Sequence, residues 1–203
     1  MKKLLLCFIF LSLFSAASTS ADMLTMTLGS VFSGDTPVGT LTAIFTDNGS
    51  GGVTLTLSAS GLAASEFVSD FYFNVDPLKM GDLSVIHDSG LDPLSIGVRE
   101  DEHKADGDGY YDIHIAFPTG GNDGRFIGTS TSTYTITGTG ITVHSFEFLS
   151  LDSGVGSFMT AAHIQGIPGA DSGWVSVPEP TTLLLLGAGL LGVALIGRKL
   201  REG

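Results

Sequence analysis

Through the middle of the chain, side-chain character alternates with a period of two. Leu24, Met26 and Leu28 alternate with Thr25 and Thr27; Leu41, Ala43 and Phe45 alternate with Thr40, Thr42 and Ile44. Val53, Leu55 and Leu57 alternate with Thr54, Thr56 and Ser58, and Ile113, Ile115 and Phe117 with Asp112, His114 and Ala116. Successive side chains on a strand point to opposite faces, so these runs predict strands with one buried and one wet face. On this reading His114 faces solvent. The many β-branched Thr, Val and Ile residues suit a pleated surface. Asn, Asp and Gly cluster at 47–52, 120–124 and 138–140. These residues tolerate the positive φ that tight hairpins need, and the 47–52 cluster predicts a hairpin between two alternating runs. No long helical pattern intervenes, so the expected fold is all-β: a sandwich or jelly roll of about eight to ten strands. Over residues 141–148 the alternation slips, with Ile141 and Val143 in one phase and Phe146 and Phe148 in the other. A bulge near His144 and Ser145, or an edge strand changing sheets, would each produce that slip.

The two ends break the pattern. Lys2 and Lys3 precede an apolar run over residues 4–11, and residues 12–21 turn small and polar. A positive start, a short apolar stretch and small residues before a cut make a secretory signal, here 1–21, cleaved after Ala21 or, as second choice, after Ala17. The run is shorter than the roughly 20 residues that span a bilayer. Export through the Sec machinery follows. Cys7, the single cysteine of the chain, leaves with that segment, so the mature protein has no thiol for a disulfide, a metal or nucleophilic catalysis.

At the other end, Pro178, Glu179 and Pro180 precede an uncharged stretch over 181–197, and Arg198, Lys199 and Arg201 close the chain. The prolines hold the backbone extended and delay any helix. The stretch reaches roughly 25 Å as a helix, close to the bilayer core once the aliphatic stems of the basic residues are added. Basic residues beyond a span favour the cytoplasmic side, which puts the body, residues 22–177, outside; the N-terminal signal demands the same orientation. The domain plan is therefore 1–21 signal helix, 22–177 extracellular β domain, and 178–203 tail with a transmembrane helix.

The body is strongly acidic. Lys79, Arg99, Lys104 and Arg125 face nineteen Asp or Glu residues, a net charge of −15 over residues 22–177. Phosphate binding needs clustered cations, so nucleic acid and anionic lipid are excluded as partners of the body.

The tail resembles the sorting signal of PEP-CTERM proteins: a Pro-Glu-Pro motif, a short Leu/Gly-rich span containing Gly187-Ala188-Gly189-Leu190-Leu191-Gly192, and a basic end. That resemblance implies a Gram-negative host with exopolysaccharide. It also implies a partner exosortase that cuts at or near Pro178-Glu179-Pro180, a transient stay in the inner membrane, and delivery to the cell surface or biofilm matrix. An extended segment at the membrane boundary suits a protease cleft better than a helix, whose amides are hidden. The body more loosely resembles a β domain of the same proteins, on residues 71–76 and 105–113, Ala161-Ala162-His163-Ile164-Gln165 and Ser172-Gly173-Trp174. That resemblance carries over no catalytic residue.

Within the body, Asp106, Asp108 and Asp112 alternate with glycines and could wrap calcium, the one cofactor candidate. Lys104 stands where a further carboxylate would be wanted, with Asp101 or Glu102 as substitutes, and a plain solvated acidic turn is the alternative. His87, His103, His114, His144 and His163 show no metal-binding spacing. No Gly-x-Ser-x-Gly elbow occurs, and the chain is expected not to be an enzyme. Tyr110, Tyr111 and Trp174 are candidate sugar-stacking rings; the alternative for Tyr111 and Trp174 is core packing. The expected function is a structural or adhesive matrix protein. The rivals are a displayed carbohydrate-binding module and an uncleaved, inner-membrane-anchored periplasmic protein.

Overall fold

The alternating runs fold into two antiparallel sheets in a computed structural model that describes residues 21–106, 109–121, 124–152, 156–169 and 171–178. In chain order the strands are β1 (Met23–Leu28), β2 (Ser30–Gly34), β3 (Thr40–Asp47), β4 (Gly52–Ser60), β5 (Phe67–Phe73) and β6 (Ser84–Gly90). Then come β7 (Ser95–Ala105), β8 (Gly109–Ala116), β9 (Thr131–Thr137), β10 (Leu151–Asp152), β11 (Thr160–Gln165) and β12 (Ser172–Ser176). The first sheet runs β1-β3-β4-β9-β6, and the second β10-β8-β5-β11-β12-β2 with β7 on the other edge of β8. The strand count exceeds the eight to ten expected from sequence. The two-residue β10 and the five-residue β2 and β12 are too short to show a period. The signal helix and transmembrane helix expected at 1–21 and 181–197 fall outside the described residues, Ala21 apart. No helix among the described residues is long and apolar enough to cross a membrane.

In the first sheet the register keeps every apolar phase on one side: Leu41, Ala43 and Phe45 of β3 and Val53, Leu55 and Leu57 of β4 are fully buried. The opposite phase forms rows of hydroxyls, such as Thr27–Thr42–Ser58–Thr131 across four strands. The core is aromatic where the sheets meet. Phe45 meets Phe73 of the second sheet edge-on at 5.4 Å and stacks on Phe146 at 4.2 Å. Burying rings of this size supplies much of the folding free energy, in edge-to-face and offset geometries that add to the area term.

The 47–52 hairpin forms as expected. Asn48 Oδ1 accepts from the backbone N–H groups of Ser50 and Gly52, and Gly49 and Gly51 take positive φ. Residues 141–148 do not form the expected strand. Val143–Phe146 is a turn of 3-10 helix in which Thr142 and Ser145 cap each other reciprocally. Val143 and Phe146, three apart, therefore share the buried side, whereas Phe148 is left exposed. The slip in phase came from a helical turn, not from a bulge or a strand changing sheets.

Buried carboxylates fasten the loops. Glu66, 1% exposed, accepts from Val38 N at 3.0 Å and from Ala63 N at 2.7 Å, tying the loop before β3 to the loop before β5. Asp112 accepts from Val75 N at 2.8 Å and Asp101 N at 2.9 Å. It sits opposite the register break in β7 between Val98 and His103. Beside the break, Tyr111 packs with Tyr72 and Ala161 in a second apolar cluster, whereas Ile113, two residues on, belongs to the main core.

Candidate functional site

The outer face of the second sheet carries a polar clasp set in aromatic rings. Its centre is Asp70 on β5. The strand bulges here: His163 of β11 stands opposite Asp70 and Ile164 opposite Val68, so Ser69 is skipped in the register with β11. The extra residue turns Ser69 and Asp70 toward the same histidine. Asp70 Oδ1 lies 2.8 Å from His114 Nε2, and because a carboxylate only accepts, that nitrogen carries the proton. Asp70 Oδ2 is 3.7 Å from His163 Nδ1, and Ser69 Oγ is 3.0 Å from the same nitrogen.

Two cross-strand rows build the surroundings. In one, Trp174 of β12 stands opposite His163, and their rings stack at 4.3 Å and 8°. In the other, Tyr72 of β5 stands opposite His114, stacked at 4.5 Å and 15°. The residue opposite His114 on β7 is Gly97, and His103 fills the space above it; a Cβ at 97 would lie 2.5 Å from His103 Cε1. Beneath the rows, Tyr111 and Ala161 are fully buried, and Phe32 stacks on Phe158 at 5.0 Å at the margin.

The electrostatics follow from this packing. Burial pushes the Asp70 carboxyl upward, but hydrogen bonds from His114, His163 and Ser69 outweigh it and hold the group well below the usual carboxylate range. Burial, with the Asp70 charge nearby, pushes the Tyr72 phenol up, so it stays protonated. Burial and the neighbouring His114 lower His103 below the ordinary imidazole value. Asp112 is raised, by burial first, against the hydrogen bonds it accepts.

A serine, a histidine and an aspartate thus meet, but Ser69 and Asp70 both address Nδ1 of His163. A nucleophilic relay needs the hydroxyl on one ring nitrogen and the carboxylate on the other. Ser69 is also 2% exposed. The contacts link β5 to β8 on one side and to β11 on the other.

The residues singled out from sequence disperse. Tyr111 is buried, which removes it as a sugar-stacking ring. Trp174 is half-buried, with one face covered by His163; Tyr110 is half-buried, with Lys104 Nζ 5.6 Å from its ring centre. Of the acidic turn, Asp106 accepts from Ser33 Oγ at 2.6 Å, Asp112 is spent on two backbone N–H groups, and Asp108 lies outside the described residues. No group of three His, Asp or Glu side chains among the described residues is placed to hold a metal. His114 is not the solvent-facing residue expected from its phase. It is half-buried, because Asp70 and the Tyr72 ring give it partners on the sheet surface. Asp70 and Glu66 were missed by the sequence reading; the only trace of either is a carboxylate inside or beside an apolar run.

The second sheet also holds the exit to the tail. β12 lies between β11 and β2, and Ser176 O accepts from Gly29 N at 3.1 Å. Pro178 is exposed two residues after the strand ends; Glu179, Pro180, Arg198, Lys199 and Arg201 lie outside the described residues. The chain is a β-sandwich body with an extension leaving an interior strand. Residues 176–199 match the PEP-CTERM protein-sorting motif. No curated protein and no solved structure matches the chain. The motif implies an exported protein with a C-terminal membrane-anchoring signal and an exosortase as its processing partner.

Proposed function

We propose that the body is a non-enzymatic structural or adhesive component of the extracellular polymer layer of a Gram-negative cell. In this reading a signal peptide, residues 1–21, exports it, and exosortase cutting at or near Pro178-Glu179-Pro180 frees it from the inner membrane. The observation that carries the reading is the junction. The matched motif begins at Ser176, the last residue of β12, so a cut at 178–180 removes no strand from either sheet. The use of Glu66, Asp70 and Asp112 as fasteners also supports a body that binds or builds rather than reacts.

Fractionation tests it. A tagged protein is expected in the matrix and medium, and Glu179→Ala is expected to leave it in the inner membrane. The same distribution for both would overturn the sorting step. Matrix recovery no higher than that of an unrelated exported protein would overturn the structural role.

A further inference from the structure

We infer that the outer face of the first sheet is a docking surface for a neutral polysaccharide lying flat across its strands. The inference rests on the proposed extracellular setting but concerns a face opposite to the aromatic one. Two cross-strand rows define its centre: Thr46–Thr54–Thr135 and Ile44–Thr56–Thr133, on β3, β4 and β9. All six side chains are partly exposed. Among the described residues, Thr135 alone of these hydroxyls has a protein partner, Asp88 Oδ2 at 2.7 Å. Neighbouring strands stand about 4.8 Å apart and successive rows roughly 7 Å apart, so the hydroxyls and methyls form a regular grid.

Three properties select the ligand. A threonine hydroxyl both donates and accepts, as sugar hydroxyls do, and its methyl meets the C–H face of a pyranose ring. Threonine is stiff at χ1 and sits on a paired strand, so little side-chain freedom is lost on binding. The rows themselves carry no ionisable side chain, the Asp88 carboxylate reaching them only at Thr135 on the β6 margin, in a body of net charge −15. A solvated face ordinarily mixes charges of both signs. An anionic polymer is repelled by the rest of the surface, and so is a second copy of the same body. A neutral chain escapes that repulsion.

The test uses the exported protein purified from its host in mild detergent, pelleted with insoluble cellulose as the neutral probe and mixed with alginate as the anionic one. Thr56→Val with Thr133→Val removes two central hydroxyls while keeping shape and strand preference, and circular dichroism confirms the fold. Wild type is expected to pellet with cellulose, the double variant roughly tenfold more weakly, as two lost net hydrogen bonds imply. Absence of wild-type binding to cellulose, equal binding by the variant, preference for alginate, or a dimer that the variant disrupts would each overturn the inference. None of these outcomes bears on processing of the tail, which is read by fractionation.

Discussion

Asp70 and His114 face each other across β5 and β8 with 2.8 Å between Oδ1 and Nε2, and the same carboxylate lies 3.7 Å from His163 on the other flank. One acidic side chain therefore joins three adjacent strands on the outside of the second sheet. Its folded pKa is depressed, so its contribution is fully present above the unfolded value and is lost as pH falls below about 4. Asp70→Asn is expected to cost about 1–3 kcal/mol at neutral pH, the penalty of leaving polar partners unsatisfied. The gap between the melting temperatures of variant and wild type should narrow from pH 6 toward roughly pH 3. A pH-independent gap, or none, would show that the clasp does not act as a charge.

Glu66 has the same kind of role with no histidine. Its two oxygens satisfy Val38 N and Ala63 N inside the protein. Glu66→Ala leaves both N–H groups without a partner and should cost about 2–4 kcal/mol in urea unfolding. A cost comparable to that of a surface substitution would mean that water reaches both amides.

Asp112 separates a structural from a metal-binding account of the acidic turn. Because its carboxylate holds Val75 N and Asp101 N, Asp112→Ala should lower stability by about 2–3 kcal/mol equally in calcium and in EDTA. A wild-type melting temperature that rises with calcium, with the rise lost in the variant, would restore the calcium reading.

The single tryptophan reports on the clasp. His163 stacks on Trp174 at 4.3 Å and covers one face of the indole, so removing that ring should open the indole to water and move its emission to longer wavelength. His163→Gln should red-shift the emission of the folded protein while leaving the fold intact. An unchanged emission maximum in the variant would show that the imidazole does not shield the indole.

These predictions bear unevenly on what the sequence made readable. The first sheet was legible because Leu41–Phe45 and Val53–Leu57 keep strict alternation, with all polar positions on one side. The second sheet was not. β5 is buried at nearly every position, Tyr72 on its outer face being packed against Tyr111, His114 and Trp174 of neighbouring strands, and its bulge at Ser69 resets the phase. Periodicity misjudged His114 for that reason: the facing was right, but solvent was replaced by Asp70 and Tyr72, whose placement depends on strands distant in sequence. Val143–Phe146 looked like a defective strand because a single 3-10 turn is too short to show its own period. The tail, by contrast, is a local signal, and Pro178-Glu179-Pro180 with the apolar stretch and basic end could be read without any fold.

The central claim, that the tail is a processing signal and not a permanent anchor, is tested most directly by the intact mass of the protein from cells with and without the host's exosortase. The account predicts a mass ending near residues 177–180 in the presence of the enzyme, and an uncut C-terminus through Gly203 in its absence. An uncut mass in both strains would contradict it and leave the body tethered at the inner membrane.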